Sequence, residues 1–221
     1  MHISKRLRAI GDLVEDNSFV LDVGCDHALL DIYIVDKYKN VKAIASDINK
    51  GPLKQAKENI KKYKLENKII LKQANGLNSY QKEIDTIVLS GLGSITIIGI
   101  LKDKKEILKE IKNIIISSNN DYYYLRKQMI KLGFKPKQEI IIKDRNKYYS
   151  IIVFEKGYKF YNKYELKYGK LEQNNTYKEY LQQEKDKLIN IRRKLDNKHI
   201  LKQIKITKEI KYLNKKIRSK H

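Results

Sequence analysis

An alternation narrows the possible folds more than any other feature of this sequence. Short apolar runs, each stopped by Gly, Asp or Ser, take turns with longer segments of helical spacing. Phe19–Val23 is such a run and enters a tight turn at Gly24. Runs of four to eight apolar residues bounded by turn formers read as buried strands. Val41–Ser46, Lys68–Gln73, Ile84–Leu89 and Ile111–Ser117 repeat the pattern, and helices are predicted over 28–38, 53–63, 95–102 and 122–132. Pro52 sits where proline is tolerated, in a first helical turn. Ile3, Leu7, Ile10 and Val14 fall at helical spacing and predict an amphipathic N-terminal helix over 3–14 with a basic outer face. Phe134–Lys143 and Lys147–Phe154 pair antiparallel across Asp144-Arg145-Asn146. The class is therefore α/β, a Rossmann-like, mostly parallel sheet with an antiparallel edge strand.

After Gly157 the texture changes. Tyr177, Leu181, Leu188, Ile191 and Leu195 step by three and four, and Ile206, Ile210, Leu213 and Ile217 do so again after a break near Asp196-Asn197. Two helices folded into a hairpin, a small coiled coil, satisfy this pattern. The expected organisation is a Rossmann-like domain at 1–157 and a basic helical hairpin at 158–221. At 221 residues the chain has room for one ordinary domain and this appendage.

The charge is strongly unbalanced, 48 Lys and Arg against 26 Asp and Glu, for a net +22. Residues 160–221 hold 18 of the basic residues and only seven acidic ones. Such an excess attracts polyphosphates through counterion release, which makes nucleic acid the natural partner. Lys-rich coding bias and a solvated helix face are the competing explanations. No stretch approaches the ~20 apolar residues of a membrane span. Lys5, Arg6 and Arg8 lead into no signal-type apolar region, so a cytoplasmic chain is expected. Cys25 is the single cysteine, and histidines 2, 27, 199 and 221 lack ligand spacing, so neither a disulfide nor a metal is expected.

The chemistry-bearing residues gather after the predicted strands. Val20-Leu21-Asp22-Val23-Gly24-Cys25-Asp26-His27 joins the first strand to a helix, where a glycine lets backbone approach a ligand held at the helix start. It lacks the second glycine of a dinucleotide fingerprint. Asp47 ends the second strand 25 residues after Asp22, where a Rossmann-type acid receives ribose hydroxyls, and Ile48 follows it. Asn75-Gly76 after the third strand suits an adenine amine, though it also suits an ordinary turn. Ser90-Gly91-Leu92-Gly93-Ser94 closes the fourth strand at the edge where open α/β sheets bind ligands. The proline-rich tetrapeptide of many exocyclic-amine methyltransferases is absent there, and so is a proline-cysteine pair. Cys25 reads as a small filler and not as a nucleophile.

Together, Ile3-Ser4-Lys5-Arg6-Leu7, Asp22 to Leu30, Asn49-Lys50-Gly51-Pro52, Asn75-Gly76-Leu77 and Ser90-Gly91-Leu92-Gly93 resemble the bacterial tRNA adenine-22 N1-methyltransferase family, TrmK. The likeness runs from residue 3 to about 157 and loosely into the basic hairpin, which that family also has. Cys25 replaces a serine, Asn75 an aspartate, Ser90 an alanine and Ser94 a glycine. Ser117-Ser118-Asn119 replaces a Gln-Pro-Asn pattern. The resemblance implies methyl transfer from S-adenosylmethionine to N1 of an adenine in the tRNA D-arm. It also implies a cofactor site built from Asp22, Gly24, Cys25, Asp47, Ile48, Asn75, Gly76, Ser90, Gly91 and Leu92.

Adenine N1 is a neutral nucleophile on the Watson–Crick edge, so positioning outweighs base catalysis, and a carboxylate near the developing cation helps. Asp26 is the first candidate for that role and His27 the second. Tyr80, Tyr148 or Tyr149 could stack on a flipped base. Lys5, Arg6 and Arg145 are assigned to phosphates near the site, and Arg192, Arg193 and Lys194 to a more distant part of the tRNA. A monomer is expected, with dimerisation through the hairpin as the alternative. Two other functional readings stay open: a methyltransferase for another RNA or a small molecule, and an inactive RNA-binding adaptor.

Overall fold

A computed structural model describes residues 3–171 and 174–219; His2 and His221 lie outside the described residues. The chain divides into two compact units, Met1–Phe160 and Tyr161–His221.

In the first unit, seven strands form one sheet: β1 Phe19–Val23, β2 Lys42–Asp47, β3 Ile69–Gln73, β4 Thr86–Ser90, β5 Asn113–Ser117, β6 Phe134–Asp144 and β7 Lys147–Lys156. Their order is β3-β2-β1-β4-β5-β7-β6. β1 to β5 pair in parallel, and β7 pairs antiparallel with both β5 and β6. The hairpin thus returns its second strand inside its first, so β6 is outermost. A register shift between Pro136 and Gln138 lets β6 accommodate a proline, which cannot donate to the ladder.

The helices are α1 Lys5–Gly11, α2 Leu29–Lys37, α3 Lys50–Lys62, α4 Ser94–Asp103 and α5 Tyr122–Lys131. Successive strand side chains point to opposite faces, and both faces are covered. Val20, Ala43, Ala45, Val88, Ile115 and Ile151 pack under α1, α2 and α3, with Ile10, Ile34 and Ile60. Leu21, Ile44, Ile87, Leu89, Ile114, Ile116 and Ile152 pack under α4 and α5, with Ile97, Leu101 and Met129. Two-sided burial is why these strands read as unbroken apolar runs.

α1 is shorter than its periodicity suggested. Ser4 caps it, its hydroxyl accepting from the Leu7 amide at 3.2 Å. It ends at Gly11, with Asp12 as its C-cap, and Tyr33 of α2 packs directly on that glycine; a Cβ there would lie 2.5 Å from Tyr33 Cδ1. Val14 still reaches the core through a tighter turn, its amide bonded to Gly11 O.

Arg126 of α5 is buried together with Glu139 of β6, and the two form an ion pair. Ser150 Oγ of β7 donates to the same Glu139 oxygen at 2.9 Å, and the guanidinium lies 5.4 Å from the Tyr122 ring centroid.

The second unit holds α6 Lys163–Tyr168, α7 Asn175–Arg193 and α8 Ile200–Arg218. The short α6 went unpredicted; Asn162 and Glu165 close a reciprocal capping box at its start. Tyr177, Leu181, Leu188, Ile206, Ile210 and Leu213 are the buried apolar residues of α7 and α8. Tyr168 donates to Glu209, which also receives Lys167 Nζ at 2.6 Å, and Tyr164 stacks on Tyr212 with centroids 4.6 Å apart. Among the described residues, no helix is long and apolar enough to cross a membrane.

Candidate active site

The carboxyl ends of β1, β2 and β4 converge on a cavity of about 330 Å³, lined by Arg6, Leu7, Asp22, Gly24, Cys25, Asp26, His27, Leu29, Leu30, Asp47, Ser90, Gly91 and Leu92. β1 lies between β2 and β4, so residues from three separated loops meet at one place. This is the ligand edge of an open α/β sheet. A roomier cavity, about 570 Å³, is lined by residues of 105–109, 132–134 and 156–158. It has neither the acids nor the strand-end loops of the first, and the chemistry belongs to the smaller one.

The turn after β1 is folded tightly. Gly24 sits at φ +80°, where a side chain would be strained, and Asp26 and Ala28 are also left-handed, at φ 54° and 56°. The amides of Gly24 and Cys25 both donate to Ser46 O of β2, at 2.8 and 3.0 Å, which pins the turn against the neighbouring strand. Asp22 and Cys25 are buried. Burial, with help from the nearby acids, pushes the Cys25 thiol far above its ordinary range, as befits a packing residue. Asp26 and His27 stand on the rim, half-exposed or more, with His27 Nε2 3.5 Å from Asp26 Oδ1.

Asp47 accepts from the Asn49 amide through Oδ1 at 2.8 Å. Among the described residues its Oδ2 has no donor, which leaves an acceptor for a ligand hydroxyl. Ile48 beside it is an apolar side chain left 58% exposed, a surface suited to a flat ring. Asn75 and Gly76 lie past the end of β3, and the Ala74 amide donates to Asp47 O at 3.0 Å. Ile48, Asn75 and Gly76 share the sheet edge with the cavity without lining it; Asn75 is exposed, with no capping bond from its side chain.

The Ser90–Gly93 loop is tied to the segment after β5. Asn119 donates its amide to Leu92 O at 2.9 Å and its side-chain N–H to Gly91 O at 2.5 Å. Asn120 Oδ1 accepts from the amide and the hydroxyl of Ser94, at 3.0 and 3.1 Å. Asn120 is not legible in the sequence, because the contact depends on β4 and β5 being neighbours.

Arg6 forms part of the cavity wall, closer to the chemistry than a peripheral phosphate contact. Its amide donates to Asp144 Oδ2 at 3.2 Å and its guanidinium lies 5.2 Å from the Tyr149 ring centroid. The same contact draws the β6–β7 turn, with Arg145 at φ 54°, toward α1 and Lys5. Tyr148 is flanked instead by Lys143. Tyr80 packs into the core on the α4 face, away from the cavity. Arg192, Arg193 and Lys194 are exposed at the end of α7 in the second unit. No group of three or more His, Cys, Asp or Glu that could hold a metal exists among the described residues.

A nucleoside-type sulfonium cofactor fits this lining. Ser90 Oγ, His27 Nδ1 and both carboxyl oxygens of Asp31 are buried polar atoms without a protein hydrogen bond among the described residues, and two of these residues line the cavity itself. Fold and site together define a Rossmann-like, S-adenosylmethionine-dependent methyltransferase. In agreement, a family model described as a methyltransferase domain matches residues 3–152.

The relatives narrow the class. A Bacillus subtilis protein named tRNA (adenine(22)-N(1))-methyltransferase is 31% identical over 158 residues, 71% of this chain and 66% of its own length. Mycoplasma capricolum TrmK, solved with S-adenosyl-homocysteine, is 32% identical, with a TM-score of 0.84 and 98% of each chain covered. A Streptococcus pneumoniae protein solved with S-adenosyl-L-methionine is 27% identical, with a TM-score of 0.88 over 98% of this chain and 100% of that one. The chain belongs to the TrmK family.

Proposed function

We propose that the chain, acting as a cytoplasmic monomer, methylates N1 of adenine 22 in the D-arm of tRNA. The observation that carries this reading is the cavity itself, lined by the buried Asp22, the half-exposed Asp47 and a glycine turn, with Arg6, Asp26 and His27 also in its wall. Asp22, Gly24, Cys25, Asp47 and the Ser90–Leu92 loop hold the cofactor, with Ile48, Asn75 and Gly76 along its adenine end. When bound, S-adenosylmethionine supplies an electrophilic methyl group. Adenine N1 attacks with its own lone pair, so the protein must present an unpaired base in line and exclude water.

The methylated base is cationic. Asp26 offsets that charge or accepts the N6 proton, and His27, 3.5 Å away, orients the carboxylate. The Asn119 bridge to Gly91 fixes the loop that meets the target atom. Tyr149, held by Arg6, offers an aromatic face to the base.

The test is transfer of radiolabelled methyl to unmodified tRNA with nucleoside analysis. Label is expected as 1-methyladenosine and is expected to vanish when adenine 22 is replaced by guanine. Label in another nucleoside would refute the assignment.

Arg192, Arg193 and Lys194 give the second unit a phosphate-binding role. Replacing all three with alanine is expected to weaken tRNA binding and to lower the slope of log K against log salt by about 0.7–0.9 per lost phosphate contact, with S-adenosylmethionine affinity unchanged. An unaltered slope assigns these residues to a solvated helix end.

A further inference from the structure

Asp31 is a carboxylic acid in the first turn of α2, inside an otherwise apolar stretch, Leu29-Leu30-Asp31-Ile32, and fully buried. Nothing in the mechanism above uses it. No protein donor reaches either of its oxygens at ordinary geometry among the described residues. The side chain it meets is that of Asp22, carboxyl against carboxyl, beside the Asp31 backbone amide. Two carboxylates cannot hydrogen-bond each other; a carboxyl and a carboxylate can, through one proton. Burial lifts both groups well above the usual carboxylate range, and the Asp31 charge adds to the effect on Asp22.

Asp22 also lines the cavity. On β1 it lies between Asp47, at the end of β2, and Ser90–Leu92, after β4. If Asp47 receives the ribose, Asp22 faces the methionine end of the cofactor, which carries an ammonium and a sulfonium. A second negative charge at the pair is costly in the free protein and is stabilised beside those cations. We propose that Asp31 and Asp22 share one proton in the free protein and that cofactor binding expels it, which makes Asp31 a positioning residue for the cationic end of S-adenosylmethionine. This rests on the cofactor reading of the cavity.

The other titratable and charged groups around the pair are Asp47 on β2, Cys25, Asp26 and His27 on the turn, and Arg6 on α1. His27 is the rival source of a proton and has to be separated from the pair.

The experiment is titration calorimetry of S-adenosylmethionine into the full chain near neutral pH, in phosphate, HEPES and Tris. Heat should vary with the ionisation enthalpy of the buffer, with a slope corresponding to about one proton released. The apparent Kd should weaken about tenfold per pH unit below the ionisation of the pair. Asp31→Asn, which can donate permanently to Asp22, should abolish the buffer dependence and flatten Kd against pH; Asp31→Leu is the second variant should the first not fold. His27→Gln should keep the proton release.

Buffer-independent heat in the native protein overturns the proposal, as does release that survives Asp31→Asn or disappears in His27→Gln. Absence of any binding heat overturns instead the cofactor reading beneath it.

Discussion

Arg126→Met is expected to lower the unfolding free energy by about 3–5 kcal/mol, read from the midpoint and slope of a urea titration at neutral pH. The substitution nearly conserves volume, so little of the loss comes from packing. It comes from Glu139, whose side chain is 5% exposed and would keep a buried charge beside the donating Ser150 Oγ. Leaving one member of a buried ion pair alone costs far more than the pair contributes, because the desolvation penalty of Glu139 remains while the charge that compensated it is gone. The double variant Arg126→Met, Glu139→Met should therefore recover most of the stability lost by the single one. A single-variant loss under about 1 kcal/mol would mean that water reaches Glu139 and that the pair is a surface interaction in practice. Because β7 lies between β5 and β6, Ser150 meets the pair from the strand next to Glu139, and the damage should spread through the hairpin before it reaches β1 to β4.

That hairpin also marks where the sequence stops being informative. The pairing of 134–143 with 147–154 follows from two apolar runs around Asp144-Arg145-Asn146, and the structure agrees closely, with β6 at Phe134–Asp144 and β7 at Lys147–Lys156. Which of the two strands joins the parallel sheet was not read from the pairing alone, although Ser150–Phe154 of β7 is buried without a break while β6 carries Pro136 and is half-exposed. The five parallel strands were legible to within about two residues; in β1, β2, β4 and β5 burial on both faces removes polar residues, while the edge strand β3 is mostly exposed. Helix ends moved more, since local capping decides them; α1 closes at the Asp12 cap, with Gly11 leaving room for Tyr33. α6 was invisible to periodicity at six residues, although Asn162 and Glu165 already carry the spacing of a capping box.

The same division holds for the site. Asp22, Gly24, Asp47 and Gly91 could be found because each lies at or just past the end of a strand, and all strand ends of a parallel sheet meet at one edge. Partners brought together by sheet order could not be found in that way. Asn120 under Ser94, Asp144 on the Arg6 amide and Tyr149 beside the Arg6 guanidinium are all of this kind. Asp31 had a readable signal, an acid inside an apolar helix stretch, but its meaning needed the position of Asp22.

Asp47→Ala should weaken S-adenosylmethionine binding by roughly 100-fold, or about 3 kcal/mol, with an unfolding free energy within about 1 kcal/mol of the native protein. The two effects separate because Asp47 has little structural work. Its side chain is half-exposed and accepts one local amide, that of Asn49. Its charge also opposes ionisation of Asp22, so removing it relieves a repulsion in the free protein. Toward the cofactor, a single carboxylate accepting two ribose hydroxyls makes charge-assisted hydrogen bonds whose loss leaves those hydroxyls without partners. Asp47→Asn keeps one acceptor and should fall between the two. The ribose is the same in the methyl donor and in the spent product, so the loss should be equal for both and should leave the bound ground state and the transition state equally weakened. KM for S-adenosylmethionine then rises while kcat at saturation is retained. A kcat that falls in step with kcat/KM would move Asp47 from holding the cofactor to shaping the reacting end. An affinity within threefold of the native protein would place the ribose elsewhere, and with it the orientation that puts Asp22 beside the sulfonium.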